Sequence, residues 1–195
     1  MSEYQWRPVD GMRKEIRVLD LDPGTGTASL SGQLRHVFLD ESDKADFITI
    51  SYAWGDAALV DEVSVDGKIK PIPASAGSAL RCMRSPVETH TFWIDCICID
   101  QYNVQEKGHQ VGLMADIFQY STGTLAHLGD DHDNTAKRAF DGFLAVSEAW
   151  QESYRQQSDV THAGIENIEI QNWSSLRETI DMAAIKAIMQ KAYFT

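Results

Sequence analysis

Cysteine is scarce in this sequence, and its spacing does not suit a metal site or a disulfide framework. The 195 residues include three cysteines, Cys82, Cys96 and Cys98, without a Cys-x-x-Cys pair. This pattern indicates neither zinc binding nor paired disulfides. If Cys96 and Cys98 share one face of a strand, they lie roughly 6.5 to 7 Å apart along it, too far for an unstrained disulfide. We therefore predict buried free thiols.

Positive charge is also in short supply, and long apolar runs are missing. Lys and Arg number 17 against 29 Asp and Glu, which gives a formal net charge of −12. Such a surface repels phosphate backbones and anionic lipid, so we expect neither nucleic acid nor membrane as a partner. The first eight residues have no apolar signal-peptide core, and no later window is long and uncharged enough to span a bilayer. The sequence therefore predicts a cytoplasmic protein.

Nucleotide and metal motifs are missing as well. There is no GxGxxG or Walker sequence, so dinucleotide binding in the Rossmann manner is not indicated. The acidic run Asp130-Asp-His-Asp133 lacks the glycine and closing glutamate of a calcium loop. Acids at this point are explained by a following helix, whose N-terminus favours negative charge. We expect no metal and no prosthetic group.

Hydrophobic patterning predicts strands first and then alternating strands and helices. Residues 16–21 and 30–39 read as an antiparallel pair, residues 47–54 as a further strand, and Asp66-Gly67 as the turn of a hairpin. The rest of the chain predicts helices at 75–84, 103–120, 134–154 and 174–192, with strands at 91–99 and 124–128. This order is typical of an α/β open sheet with a parallel core, flanking helices and added antiparallel β-hairpins.

Polar residues follow three of the predicted strands, in the segments 52–56, 99–101 and 129–131. In open α/β sheets, ligands bind just beyond the carboxyl ends of the strands. If these strands are parallel neighbours, one crevice collects the side chains, although aromatic residues at alternate positions are more often part of the core. The candidate binding residues are Tyr52, Trp54, Gly55, Asp56, Asp100 and Gln101.

Two features inside the predicted elements also require an explanation. Asp95 lies in an apolar segment, where an unpaired charge is costly, so we expect it to have a structural hydrogen-bonding role. Gly108 and Gly112 lower helix propensity and share one helix face, which predicts the close approach of another backbone or of a ligand, and we favour packing.

Three ordered segments resemble the signature blocks of fungal heterokaryon-incompatibility (HET) domains. They are Ile48-Thr-Ile-Ser-Tyr-Ala-Trp-Gly-Asp56, Phe92-Trp-Ile-Asp-Cys-Ile-Cys-Ile-Asp-Gln101, and Glu106-Lys-Gly-His-Gln-Val-Gly-Leu-Met114. The resemblance covers nearly the whole chain, so residues 1–195 are expected to form a single HET domain. That family usually continues beyond the block in which Ala192-Tyr-Phe-Thr195 ends, so we expect the domain to be truncated at its C-terminal end.

The resemblance implies a fold and a function. HET domains control nonself recognition and trigger cell death, and they are thought to be distant relatives of Toll/interleukin-1 receptor (TIR) domains, many of which cleave NAD. It therefore implies a TIR-like (flavodoxin-like) sheet, NAD as substrate, homo-oligomers on activation, and other death-signalling proteins as partners. The catalytic glutamate of that comparison matches Glu106. Gln110, which we expect on an exposed turn of the same helix, is a further candidate binding residue.

Two alternatives remain open at this point. The segment from Asn103 to Glu106 also fits a capping box, in which Asn103 caps the helix and Glu106 reaches back to its amide. Glu106 is therefore either a catalytic carboxylate, a helix cap, or both. At the level of function, the alternative to an NAD hydrolase is a non-catalytic, self-associating interaction domain of a cell-death pathway.

Overall fold

An antiparallel pair lies at the centre of the sheet. Strands β1 (Glu15–Leu21) and β2 (Leu30–Phe38) pair along all of β1, as predicted. Nearly every residue of β1 is buried, as expected for a strand that is covered on both faces. At Gly32 a Cβ atom would lie 2.5 Å from the carbonyl oxygen of Asp20, so only glycine fits this register.

The computed structural model describes residues 4–39, 46–56, 58–131, 133–156, 170 and 173–190. The chain divides into two compact units, Met1–Gly129 and Asp130–Thr195. None of the helices within the described ranges is long and apolar enough to cross a membrane.

A β-hairpin extends the sheet on one side. Strands β4 (Val60–Val65) and β5 (Lys68–Pro73) pair antiparallel, and β4 lies parallel to β2. The turn residues Asp66 and Gly67 both have positive φ, 50° and 75°, as a tight hairpin turn requires. The hairpin predicted from this dipeptide is therefore confirmed.

Three parallel strands complete the sheet on the other side. They are β3 (Ile48–Tyr52), β6 (His90–Trp93) and β7 (Gly123–His127), and β3 pairs with both of the others. The full order is β5-β4-β2-β1-β6-β3-β7. The predicted open α/β sheet with a parallel core is confirmed, and its parallel strands follow the order second, first, third that begins a flavodoxin-like sheet.

The predicted strand over residues 91–99 is wrong in its second half. Strand β6 ends at Trp93, Ile94 is extended, and Asp95–Cys98 forms one helical turn, α2. Apolar residues are buried here in either conformation, so a continuous apolar run did not distinguish strand from helix. Cys96 and Cys98 are buried free thiols as predicted, whereas Cys82 is exposed.

Two predicted helices are each divided in two. Residues 103–120 form α3 (Val104–Gly112) and α4 (Met114–Tyr120), and the region 174–192 contains α6 (Trp173–Thr179) and α7 (Met182–Met189). Helix α1 (Ala74–Met83) agrees with its prediction. A Cβ added at Gly108 or Gly112 would meet nothing within 4 Å, so the predicted close approach of another backbone is wrong.

The second unit contains α5 (Thr135–Gln156), which packs against α7. The carboxylate of Asp131 accepts hydrogen bonds from the amides of Ala136 and Lys137, and Asp133 accepts one from Thr135. These acids satisfy free amides at the helix N-terminus, which is the role expected for them from the sequence.

Gly108→Ala is expected to stabilise the fold by up to about 1 kcal/mol, because Gly108 is exposed, has open space around it and lies inside a helix. Urea denaturation measures the change. Gly32→Ala is the matched control and should be clearly destabilising, since its methyl group meets Asp20. A loss of stability in Gly108→Ala would contradict the open environment.

Thiol reactivity should distinguish the exposed Cys82 from the buried Cys96 and Cys98. Burial raises the pKa of both Cys96 and Cys98 to about 12, and both are buried, whereas Cys82 is exposed. An aromatic disulfide reagent at pH 8 should therefore label one thiol of the native chain and all three in denaturant. Rapid native labelling of a second thiol would show that α2 is more open than described.

Candidate functional site

The carboxyl ends of β3 and β6 are joined by a hydrogen bond between two signature blocks. The indole Nε1 of Trp54 donates to Asp95 Oδ2 at 3.0 Å, and the side-chain amide of Gln101 donates to the Asp95 carbonyl at 2.9 Å. Asp95 also accepts from the amide of Cys96. The carboxylate thus has the hydrogen-bonding role predicted for it, and it places Trp54 over the strand end.

Tyr52 lies beneath this strand end and faces the interior. Its hydroxyl is buried next to Cys96 and Asp95 and makes no hydrogen bond of normal geometry within the described residues. Burial, together with the neighbouring Cys96 and Asp95, raises the pKa of Tyr52. The Tyr52 hydroxyl is therefore part of the interior at this strand end, whereas Trp54 is 48% exposed.

Glu106 is held in a buried ion pair with Arg17. The guanidinium donates from Nη1 to Oε1 at 2.6 Å and from Nη2 to Oε2 at 2.9 Å, and the amide of Asp100 also donates to Oε1, at 2.9 Å. The two side chains of the pair are only 1% and 5% exposed. This two-pronged contact is the strong form of an arginine–carboxylate interaction.

Arg17 is itself fixed by its surroundings. It donates to the carbonyl oxygens of Arg7 and Cys98, and its guanidinium carbon lies 4.7 Å from the centroid of the Trp6 ring. Burial opposes ionisation of Glu106, but hydrogen bonds from Arg17 and from the Asp100 amide outweigh it, so the pKa of Glu106 is lowered. Glu106 is therefore ionised, held in one orientation by its hydrogen bonds, and closed to solvent.

The capping-box hypothesis is half correct. Asn103 caps α3, since its side-chain oxygen accepts from the amides of Gln105 and Glu106. The carboxylate of Glu106 does not return to the Asn103 amide, which donates instead to the Asp100 carbonyl. Glu106 joins helix α3 to β1 through Arg17 and to the preceding loop through Asp100.

Gln110 does not lie on an exposed turn as expected from the sequence. It is 0% exposed, and its side-chain amide donates to the carbonyl of Glu15 at 2.8 Å. Its position one helical turn after Glu106 places it on the same inward face of α3. Gln110 is therefore a second connection between α3 and β1, away from the surface where a ligand would arrive.

Two neighbouring pockets open on the surface of the first unit. The first, called here the Lys70 pocket, has a volume of about 270 Å³ and is lined by Tyr4, Trp6, Ile69, Lys70, Pro71, Asp100 and Tyr102. The second, the Trp54 pocket, has about 220 Å³ and is lined by Trp54, Gly55, Leu59, Val60, Pro71, Ile72, Pro73 and Tyr102. The side chains of Pro71 and Tyr102 line both.

The predicted binding residues are divided among different places. Trp54 and Gly55 line the Trp54 pocket, and Asp100 lines the Lys70 pocket. Asp56 and Gln101 line neither of these two pockets, and Asp56 instead accepts a hydrogen bond from the Ala58 amide. The described residues contain no group of three or more His, Cys, Asp or Glu side chains placed to hold a metal ion.

Sequence reasoning missed Arg17, Trp6 and Lys70. For Arg17 a signal was present, because a charged residue stands between Ile16 and Val18 in a strand that is otherwise buried. The same argument singled out Asp95. No comparable signal marks Lys70. Its strand, β5, contains both polar and apolar residues, and the buried positions alternate with exposed ones without following polarity.

The fold and the signature residues at its strand ends define an α/β open-sheet domain with the three HET blocks joined by hydrogen bonds. The family model "Heterokaryon incompatibility protein (HET)" matches residues 47–195, and the chain belongs to this family. It is similar to "Heterokaryon incompatibility protein 6, OR allele" of Neurospora crassa, with 30% identity over 169 residues. That alignment covers 78% of this chain and 23% of the relative, so the chain spans about a quarter of the relative's length. No solved structure matches the chain.

Proposed function

We propose that this chain is a signalling domain of fungal nonself recognition, acting in the cytoplasm, whose activation leads to cell death. The family match and the named relative from Neurospora crassa support this role. The signature blocks that carry the match meet at one strand end and at one buried ion pair. They therefore form one three-dimensional arrangement and are not independent motifs.

The geometry best supports a domain that works by binding and self-association. The observation that carries this proposal is the Arg17–Glu106 ion pair, which occupies both carboxylate oxygens and excludes solvent from them. Exposed apolar side chains on the same unit offer a contact surface, among them Trp54, Leu59, Val60 and Tyr102. Homo-oligomers formed on activation, and contacts with other death-signalling proteins, follow from this proposal.

A second candidate is NAD hydrolysis, with Glu106 as the catalytic group. Cleavage of the nicotinamide–ribose bond builds positive charge on the ribose, which a carboxylate stabilises. The observation in its favour is that Glu106 is charged and hydrogen-bonded to Asp100, which lines an open pocket with aromatic residues. On this proposal Arg17 restrains the resting enzyme, and its guanidinium must release Glu106 before ribose is bound.

A nicotinamide-release assay distinguishes the two modes. The purified chain is incubated with NAD beside an Arg17→Met/Glu106→Gln variant, which leaves no buried charge unpaired, and Glu62→Gln, which alters an exposed glutamate. Circular dichroism establishes that each is folded, and sedimentation over a range of concentrations reports association. If the domain works by binding, the chain should associate as its concentration rises, and none of the three proteins should release nicotinamide. If the wild type and Glu62→Gln release nicotinamide and the folded double variant does not, the chain is a hydrolase instead.

A further inference from the structure

Lys70 is a buried cation, and the described residues give it no acidic partner. It is 9% exposed, and no carboxylate of the described residues lies within 4 Å of its ammonium nitrogen. Its ammonium group makes a cation–π contact with the ring of Trp6, whose centroid is 4.4 Å from Nζ. Desolvation lowers the pKa of Lys70, as expected for a cation whose burial is not compensated by a neighbouring anion. An ammonium group kept in this environment is suited to meeting an anion.

The pocket beside Lys70 supplies flat surfaces. Tyr4, Trp6 and Tyr102 contribute three aromatic side chains to its lining. Trp6 is held by cations, with Arg17 as well as Lys70 against its ring, so its position is fixed. Tyr102 is 87% exposed and forms the open rim of the pocket. An exposed ring at the rim, such as that of Tyr102, favours a ligand that has a planar group to stack.

Asp100 adds a polar group of the opposite sign. One of its carboxylate oxygens accepts from the Tyr102 amide at 3.1 Å, which fixes the carboxylate at the pocket wall. The remaining lone pairs suit a ligand that donates hydroxyl groups. The volume of about 270 Å³ is just below the ~300–1,000 Å³ of sites for drug-sized molecules, which favours a compact ligand.

We propose that the Lys70 pocket binds a nucleoside monophosphate, with its phosphate at Lys70, its base against Tyr102, and its ribose hydroxyls at Asp100. A planar ring, a diol and an anion in one small molecule match the three kinds of group that line the pocket. The site is separate from the Glu106 carboxylate, which is enclosed by Arg17, and it does not rest on NAD hydrolysis.

Isothermal titration with AMP tests the site on the whole chain. Lys70→Met removes the charge and keeps an unbranched apolar stem on Trp6, while Lys68→Met is the matched control on the same strand, outside the pocket lining. AMP should bind the wild type and Lys68→Met alike, and Lys70→Met about tenfold or more weakly. Equal AMP affinity in Lys70→Met and wild type would overturn the proposal, as would no heat of AMP binding to the folded wild type.

The ring and the phosphate are tested separately. Tyr102→Ala removes the exposed rim and should weaken AMP binding, whereas Val104→Ala, 82% exposed and outside the lining, should not. Adenosine and inorganic phosphate should each bind more weakly than AMP, because each lacks one of the two contacts. Adenosine that binds as tightly as AMP would contradict the role of Lys70, and phosphate that binds as tightly would contradict stacking. Neither result would bear on nicotinamide release, which is measured on its own.

Discussion

Glu106→Gln is expected to destabilise the folded chain by about 3–5 kcal/mol, because it leaves the guanidinium of Arg17 buried without its counter-ion. Glutamine keeps the shape of the side chain, so the loss comes from charge and not from packing. The donors from Arg17 and the Asp100 amide would then meet a neutral group that itself presents two hydrogens. Urea denaturation at neutral pH measures the loss directly.

The control is the pair of changes together. Arg17→Met/Glu106→Gln removes both charges, and much of the stability should return, since replacing a buried ion pair by neutral groups costs far less than breaking it. The two single variants and the double variant form a cycle that isolates the coupling between the residues. A Glu106→Gln variant within about 1 kcal/mol of the wild type would show that the ion pair is not closed to water as described.

Trp93→Ala is also expected to destabilise the folded chain by about 3–5 kcal/mol. Trp54 belongs to an equally prominent signature block, but its replacement is expected to cost less. Trp93 is 1% exposed, and its ring packs edge-on against Phe118 with centroids 6.1 Å apart. Removing it leaves a cavity between β6 and α4 that the fixed sheet does not close. Thermal or urea unfolding of the variant gives the measurement.

Trp54→Ala is the matched control for this core substitution. Trp54 is 48% exposed and contributes mainly one hydrogen bond to Asp95, so its replacement should cost only about 1 kcal/mol. Equal losses in the two variants would mean that Trp54 is buried against something that covers the strand end. A loss of less than about 1 kcal/mol in Trp93→Ala would contradict its place in the core.

Local signals predicted the parts of the fold that local chemistry determines. Asp66-Gly67 specifies its hairpin because both residues must adopt positive φ, and few others do so cheaply. The parallel arrangement of β3, β6 and β7 followed from alternation of strand and helix along the chain. The turn α2 was missed because residues 92–99 are apolar whether they are extended or helical, apart from Asp95, and burial alone did not decide between them.

The candidate site was predicted less completely, because its central contact is tertiary. Glu106 was singled out from the family resemblance, yet its partner Arg17 is 89 positions earlier in the chain, and no local pattern joins them. The proposed exposure of Gln110 was wrong for the same reason, since its inward direction depends on β1. The proximity of the β3 and β6 strand ends, where Trp54 donates to Asp95, followed from topology, whereas the Lys70 pocket required the N-terminal residues to be placed against β5.

A titration of the Glu106 side-chain carboxyl by carbon-13 NMR tests most directly whether this residue is held as a charged structural group. Hydrogen bonds from Arg17 and Asp100 stabilise the ionised form in the native state, so we expect a pKa below the ordinary glutamate value. The stabilisation is then fully present above the unfolded-state pKa and is lost as the pH falls through the lower native value. A native pKa at or above that of a free glutamate would contradict the buried ion pair.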